Sequence, residues 1–292
     1  MRHAFRPRRS MLYVPGDNKR YLEKARELDA DSLVFDLEDS VAAEFKENAR
    51  KNVCEALQKG GFVHQELVVR INGLQTPWCM DDLAAFADHH SLDAVLFSQV
   101  NSAEELLESI ENLDSCGGKH LPVMVMIETP LAILRAESIA GCSDRLCCLV
   151  MGTSDLASAI YRHDAPDRTA VQMASMVSLF AARSFGLSIL DGSHTELEDP
   201  VACELSCRHA RDMGFDGKTV VHPRQLPYTN DAFTPRKYDL EKAKEIIEVY
   251  EKAQSVGKGV AIFNGRIVEP HKVDAARRLL ELNDSIRAIS KK

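Results

Sequence analysis

Short apolar runs recur along the chain, separated by longer segments in which apolar residues lie three and four positions apart. Runs of four to eight apolar residues are typical of parallel strands buried on both faces, and the segments between them are typical of amphipathic helices. The runs fall at 10–14, 32–37, 66–71, 94–97, 122–127, 146–151, 187–190 and 218–221. Eight such units predict an α/β fold, a closed (β/α)₈ TIM barrel, with a doubly wound open sheet as the alternative.

Predicted helices lie between the runs, at 18–28, 44–58, 80–88, 103–113, 133–139, 169–185 and 200–213. After residue 221 the pattern changes, because His222-Pro223 and Leu226-Pro227 interrupt it. A long charged helix then leads to an Asn264-Gly265 hairpin turn and a last helix. We therefore predict a barrel domain at 1–228 and a C-terminal helical arm or lid at 229–292, too short for a core of its own and expected to form oligomers.

Composition and charge exclude several classes of protein. A hydrophobic fraction of 45% is ample for a core, and a net charge of -8 argues against a general nucleic-acid binder. The eight cysteines form no CxxC pair, so we predict neither a zinc site nor a disulfide framework, and we expect a reducing cytoplasm. No apolar span reaches the length of a membrane helix, and the first apolar run is too short for a signal peptide, so we expect no membrane association.

Acidic residues stand where two successive apolar runs end. Glu128 follows the fifth run and Asp155 follows the sixth. In a barrel of parallel strands the active site forms at the carboxyl ends, so these two carboxylates are expected to lie close together. Mg²⁺ prefers oxygen ligands and takes one or two protein carboxylates, so the pair predicts a Mg²⁺ site, although either residue alone is also typical of a helix cap.

Arg70 lies next to the end of the third run. It is the candidate for binding a substrate carboxylate, because the planar guanidinium group can donate to two oxygens at once. The alternative is a salt bridge to Asp36 or Glu38. These two acids are two residues apart and share a strand face, so one is a candidate to hold metal-bound water and the other to orient Arg70. Lys46 and Arg50, four apart on the next helix, are interpreted as a solvated face.

Several familiar signatures are missing from the sequence. It contains no GxxxxGK[ST] phosphate loop, no GxGxxG after the first strand and no GxSxG nucleophile elbow. The ten histidines are dispersed, which argues against a histidine metal cluster.

The polar motifs at the ends of the runs resemble those of the citrate lyase beta-subunit family, which includes malyl-CoA and citramalyl-CoA lyases. The resemblance runs nearly end to end and in the same order. The motifs that carry it are RSMLYVPG from Arg9, FDLEDSV from Phe35, VRIN from Val69, IET from Ile127, GFDGK from Gly214, VHP from Val221 and GKG from Gly257. It implies a TIM barrel with a C-terminal extension that reversibly cleaves a carbon–carbon bond in a carboxylated 3-hydroxyacyl-CoA, giving acetyl-CoA and a 2-oxo acid.

Residue by residue, the resemblance implies that Glu128 and Asp155 are Mg²⁺ ligands and that Arg70 contacts the substrate carboxylate and carbonyl. Arg9 and Lys218 are the implied contacts to CoA or substrate. The family's oligomers, trimers or hexamers, share active sites.

In the family, an acidic residue on the arm of one subunit acts on the acetyl carbon in the site of the next subunit, and alignment of the arm puts Glu269 at that position. Chemistry makes a matching demand, since the departing thioester half must be protonated at carbon, and Glu269 is the candidate general acid.

The chain departs from the family pattern at several of these positions. Gln99 and Asn101 stand where relatives commonly have Lys and Glu, Ser154 stands where they tend to have Glu, and Glu269 replaces an Asp. Loss of a cation and an anion together suggests a deleted salt bridge or an altered pocket rim.

We expect a lyase acting on citramalyl-CoA, with malyl-CoA as the next choice. The alternatives are the beta subunit of a multi-component citrate lyase acting on an acyl-carrier-protein thioester, a malyl-CoA thioesterase, and a non-catalytic barrel.

Overall fold

The computed structural model describes residues 6–162, 168–257 and 260–289, so two residues of the GKG motif lie outside it. The chain divides into two compact units, the first comprising Arg8–Phe233 and the second continuing from Thr234. The predicted boundary at residue 228 falls inside a helix, Leu226–Phe233.

The first unit is a closed barrel of eight parallel strands. Each strand pairs with the next along the chain, and the last pairs with the first. The strands are β1 (Ser10–Pro15), β2 (Ser32–Asp36), β3 (Glu66–Ile71), β4 (Ala94–Phe97), β5 (Val123–Ile127), β6 (Leu146–Met151), β7 (Ser188–Asp191) and β8 (Gly217–Val220). The predicted TIM barrel is therefore confirmed, and the open sheet is excluded because β1 and β8 are hydrogen-bonded.

Helices cover the outside of the barrel. They are α1 (Lys19–Ala25), α2 (Lys46–Lys59), α3 (Cys79–Phe86), α4 (Ala103–Ser115), α5 (Pro130–Leu134), α6 (Ala136–Gly141), α7 (Thr153–Ala159), α8 (Thr169–Ser184), α9 (Pro200–Met213) and α10 (Leu226–Phe233). The helix predicted at 133–139 is two helices, since Thr129 caps α5 ahead of Pro130 and Arg135 interrupts the run. Neither α7 nor α10 was predicted, and α10 tolerates Pro227 because a proline in the first turn breaks no helical hydrogen bond.

Two apolar layers stabilise this unit. Alternate strand residues such as Val34, Val68 and Leu96 fill the barrel axis, whereas Phe35, Val69 and their equivalents face the helices. Both sets are almost fully buried. Strands buried on both faces explain why the runs are continuously apolar.

A buried ion pair lies at the amino end of the barrel. Arg8 donates through Nε and Nη2 to both carboxylate oxygens of Glu66, at 2.7 Å in each case. Ser32 donates to the same carboxylate at 2.7 Å, and Ser188 accepts from Arg8 at 3.1 Å. Bidentate geometry and these hydroxyl partners compensate two charges that would otherwise be costly to bury.

The second unit contains α11 (Lys237–Ser255), a hairpin of β9 (Ala261–Phe263) and β10 (Arg266–Val268), and α12 (Pro270–Ile289). Asn264 and Gly265 both have positive φ, as a two-residue turn of the predicted kind requires. Ala261, Val268 and Val273 form a small core with apolar residues of α11. Across the described part of the chain, no helix combines the length and apolar character needed to cross a membrane.

Candidate active site

Glu128 and Asp155 come together at the carboxyl ends of β5 and β6. Glu128 directly follows β5, and Asp155 lies in the first turn of α7, directly after β6. Gly152 lies between them, and a Cβ there would come within 2.3 Å of the Glu128 Cβ. The close approach therefore requires glycine at this position.

Glu128 is nearly fully buried, and its two carboxylate oxygens have different surroundings. Oε1 accepts a hydrogen bond from the Gln99 backbone amide at 2.6 Å. Oε2 is buried and has no hydrogen-bond partner. Burial raises the pKa of Glu128 to about 7, and the charge of Asp155 adds to the rise against the opposing Gln99 amide. An oxygen in this state is stabilised by a cation, since a buried anion needs a partner.

Asp155 is the more exposed member of the pair. Partial burial raises its pKa, and the nearby charge of Asp39 raises it further. Within the described ranges, no group of three or more His, Cys, Asp or Glu side chains is arranged to hold a metal ion. Two neighbouring carboxylates, one buried with an unpartnered oxygen and one exposed, fit a Mg²⁺ site, which needs no larger protein cage.

Arg70 is the centre of an ion network beside this pair. Its Nε and Nη2 donate to the two oxygens of Asp36 at 2.7 and 2.6 Å, and its Nη1 donates to Asp39 at 3.1 Å. The Tyr13 ring lies 4.8 Å from the guanidinium carbon, within range of a cation–π contact. The salt bridge weighed as the alternative for Arg70 is thus present. Asp36 holds the guanidinium in place, and Asp39 is the more exposed of its acidic partners.

Glu38 completes the network, with Oε2 lying 2.8 Å from Arg70 Nη1 but without hydrogen-bond geometry. Burial raises the pKa of Glu38 to about 8, even though the Arg70 charge opposes the rise. Asp36 behaves in the opposite way: burial opposes its ionisation, but the charge and hydrogen bonds of Arg70 hold its pKa below the usual range. The pKa values of these two acids, two residues apart in the chain, are therefore moved in opposite directions.

Lys46 binds the backbone directly after β2. Its ammonium donates to the backbone carbonyls of Leu37 and Glu38 at 2.8 and 2.7 Å, and the residue is buried. Arg50 donates to the buried Asp82 at 2.9 Å. The interpretation of Lys46 and Arg50 as a solvated face is therefore wrong. Helical spacing alone cannot reveal which long side chains fold inward.

The remaining predicted residues are not part of this cluster. Arg9 lies before β1, at the amino end of the barrel, and pairs with Asp31 through Nε and Nη2 at 2.9 and 2.7 Å. Lys218 is buried on β8, where its ammonium donates to Asp191 and to the Gly192 carbonyl. A CoA contact at Arg9 or Lys218 stays a prediction, and neither position favours it.

Glu269 belongs to the second unit, directly before α12, and is about half exposed. Its carboxylate lies 3.5 Å from the Lys272 ammonium and 3.6 Å from His271 Nε2. Its role stays a prediction. Ser154 is exposed next to Asp155.

Comparison with known proteins identifies a family. The HpcH/HpaI aldolase/citrate lyase family model matches residues 9–223. The chain is 40% identical over 288 residues to a (3S)-malyl-CoA thioesterase of Cereibacter sphaeroides, covering 99% of both sequences. It is 34% identical over 284 residues to citrate lyase subunit beta of Leuconostoc mesenteroides subsp. cremoris, covering 95% of this chain and 93% of the relative.

A solved structure has the same fold. The protein CitE from Mycobacterium tuberculosis, in complex with magnesium, acetoacetate and coenzyme A, matches with a TM-score of 0.76 and 25% identity, covering 97% of this chain and all of that one. The family resemblance predicted from the strand-end motifs is thus confirmed. The chain belongs to the HpcH/HpaI aldolase/citrate lyase family.

Proposed function

We propose that this chain is a Mg²⁺-dependent carbon–carbon lyase that acts on a 3-hydroxy-carboxyacyl-CoA and releases acetyl-CoA and a 2-oxo acid. The observation that carries the proposal is the buried, unpartnered Oε2 of Glu128 beside the carboxylate of Asp155. The CitE structure with magnesium, acetoacetate and coenzyme A supports it, because its three ligands match a metal, an oxo acid and the CoA carrier.

Glu128 and Asp155 are the residues that would hold the metal. Bound there, Mg²⁺ would supply a Lewis acid for the negative charge on the substrate's hydroxyl oxygen once that oxygen has lost its proton, ahead of carbon–carbon cleavage. Glu128 contributes an oxygen fixed in direction by the Gln99 amide, and Asp155 contributes one that stays accessible from solvent.

Arg70 orients the substrate by taking its carboxylate in place of Asp39. The bidentate pair with Asp36 prevents the guanidinium from turning while this exchange takes place. Glu38 lies against the same guanidinium, so we assign it the proton of the substrate's hydroxyl group: the protonated carboxyl gives that proton in condensation, and the ionised carboxylate takes it in cleavage. Asp36 stays ionised and acts only through Arg70.

Glu269 is proposed as the acid that protonates the acetyl carbon in cleavage and removes that proton in condensation. Its half-exposed carboxylate on the second unit is suited to a site completed by a neighbouring copy of the chain. We therefore propose a homo-oligomer, a trimer or hexamer, with shared active sites.

The acyl group is proposed to be malyl, with citramalyl as the second choice. This order reverses the one expected from motifs, because the relative at 40% identity is named for (3S)-malyl-CoA. The two substrates differ by one methyl group at the cleaved carbon, a difference worth only about 1–3 kcal/mol in a binding pocket.

Hydrolysis of the thioester is the second candidate function, and the name of the same relative favours it. Hydrolysis needs a base for water near the thioester carbonyl, whereas bond cleavage needs the cation and arginine arrangement described above. A role as the beta subunit of a multi-component citrate lyase is favoured by the 34% relative. A non-catalytic barrel is disfavoured, since Glu128, Asp155 and Arg70 are all present and clustered.

The test is product analysis by mass spectrometry after incubation of the purified chain with Mg²⁺ and malyl-CoA or citramalyl-CoA. Acetyl-CoA with glyoxylate or pyruvate supports the lyase. Malate or citramalate with free CoA supports hydrolysis, and turnover only of an acyl-carrier-protein thioester supports the citrate lyase subunit. No product from any of the three would overturn the proposal.

A further inference from the structure

The loop that follows β4 has an unusual backbone. Gln99 has a φ of 57°, in the left-handed region of backbone conformation that residues other than glycine rarely adopt. Such a conformation costs free energy and persists only where surrounding contacts hold it. The contacts around Gln99 therefore indicate what the conformation is for.

The left-handed conformation points the Gln99 amide at the candidate metal ligand. Strands β4 and β5 are neighbours, with Phe97 level with Val125, so the two loops that follow them lie side by side. The Gln99 N–H donates to Glu128 Oε1 at 2.6 Å. Because this bond engages one carboxylate oxygen, the buried Oε2 is the one left without a hydrogen-bond partner.

Asn101 fixes the loop in this conformation. Its Nδ2 donates to the Gln99 carbonyl at 2.9 Å, and its Oδ1 accepts from the Thr129 hydroxyl at 2.5 Å. The Asn101 backbone amide donates to the carboxylate of Glu105 on α4 at 2.8 Å. A carboxamide suits this position because it provides a donor and an acceptor at once, whereas a carboxylate has no donor.

Thr129 connects the loop after β4 to the loop after β5. It directly follows Glu128, and its hydroxyl also caps α5 by accepting from the Ala132 amide at 3.1 Å. The two loops are thus joined twice, by the bond from Gln99 to Glu128 and by the bond from Thr129 to Asn101.

We propose that Gln99 is a positioning residue for Glu128, held in its left-handed conformation by Asn101, and that this arrangement presents Glu128 Oε2 to the cation. The neutral residues at 99 and 101 then have a definite use in this chain, which is to fix the direction of a metal ligand. The inference rests on the proposed function in so far as the cation is Mg²⁺.

The test is the Mg²⁺ affinity of Asn101→Ala, measured by calorimetry on the full-length protein without substrate. We expect about tenfold weaker binding, because the hydrogen bond to a charged carboxylate is no longer held. Asn48→Ala, at an exposed position on α2, is the matched control and should bind Mg²⁺ as the wild type does. Gln99→Ala keeps the backbone amide that bonds Glu128, so we expect a smaller loss of Mg²⁺ affinity than in Asn101→Ala.

Affinity within twofold of wild type in Asn101→Ala, or an equal loss in Gln99→Ala, would overturn the assignment to the Gln99 backbone. A purely structural role would lower the melting temperature of Asn101→Ala without changing Mg²⁺ affinity. If the wild type itself binds no Mg²⁺, the proposed function fails, and a crystal structure of metal-free Asn101→Ala decides this inference. Separation of the Gln99 amide from Glu128 Oε1 would support it, and a retained contact would overturn it.

Discussion

Arg70 and Asp36 form a buried bidentate pair in which Nε and Nη2 each donate to a different carboxylate oxygen, at 2.7 and 2.6 Å. The pair fixes the guanidinium plane between two strand ends, so the side that faces Glu38 and Asp39 points in one direction. The candidate site therefore depends on the shape of this arginine as well as on its charge.

Arg70→Lys should destabilise the protein and abolish most of its turnover. Lysine keeps the charge but cannot bond both Asp36 oxygens, and a hydrogen bond to a charged group is worth about 1.5–3 kcal/mol. We expect a loss of about 2 kcal/mol in urea unfolding and at least about a hundredfold loss of kcat. Arg70→Met, which leaves Asp36 unpaired, should cost about 3–5 kcal/mol. A lysine variant with wild-type stability would contradict the geometry.

Glu128→Gln and Asp155→Asn should each remove Mg²⁺ binding and turnover while leaving the metal-free protein folded. Each change removes one of two like charges, so the metal-free melting temperature should stay level or rise slightly. Calorimetry with Mg²⁺ and circular dichroism melting in EDTA measure the two effects. Glu137→Gln, at an exposed position on α6, is the matched control. Mg²⁺ binding that survives in both variants would rule out the pair as ligands.

Glu38 should make the metal-free protein less stable as the pH rises from 6 to 9. Its pKa is about 8 when folded and about 4.5 when unfolded, so the folded state binds the extra proton. The associated stability is complete below pH 4.5 and is lost progressively until the pH has passed about 8. The loss between pH 6 and pH 9 amounts to about 3 kcal/mol.

Urea unfolding in EDTA at pH 6 and pH 9 measures this loss. Glu38→Gln should show a smaller decline in stability than the wild type. The residual slope includes Glu128 and Asp155, whose pKa values are also raised. Asp36, with its lowered pKa, contributes in the opposite direction and only at acidic pH. Equal slopes for the wild type and Glu38→Gln would show that Glu38 is ionised throughout.

Mixing inactive Glu269→Gln protein with inactive Glu128→Gln protein should restore activity after subunit exchange. If each site takes Glu128 from one copy and Glu269 from the next, random mixing restores about a quarter of the wild-type sites. Activity is followed by acetyl-CoA release, and exchange is verified by native mass spectrometry. No recovery despite complete exchange would argue that each chain builds its site alone.

Arg8→Met should lower the free energy of unfolding without changing the reaction at the other end of the barrel. It leaves Glu66 buried without its cation, at an expected cost of about 3–5 kcal/mol in urea unfolding. The double variant Arg8→Met with Glu66→Leu should recover most of that loss. The folded fraction should keep the wild-type KM, since Arg8 precedes β1 whereas Glu128 follows β5.

Much of the fold could be predicted from the sequence, because strands buried on both faces leave a continuous apolar signal. The runs at 66–71, 94–97 and 146–151 coincide with β3, β4 and β6. The meeting of Glu128 and Asp155 follows directly, since the carboxyl ends of successive parallel strands lie on one rim. Short helices such as α7 lack a sufficient period, although the Thr-Ser-Asp start of α7 is a typical helix beginning.

The rest of the site depends on partners that are distant in sequence. The Lys46 side chain points inward because its ammonium donates to the carbonyls of Leu37 and Glu38. The Arg9 side chain is engaged because it pairs with Asp31. The left-handed conformation of Gln99 leaves no mark in composition or period. Side-chain type indicates which chemistry is possible, but only the folded chain determines which groups are already engaged.

The ionic layer of Arg8 and Glu66 also bears on how this scaffold can change over time. The pair lies at the amino end, so its contribution to stability does not depend on the residues that follow the strands at the other end. Exposed residues there that make none of the contacts of Arg70, Asp36, Gln99 or Glu128 can therefore vary at little risk to folding. Those residues are the ones to change in a search for a different acyl preference.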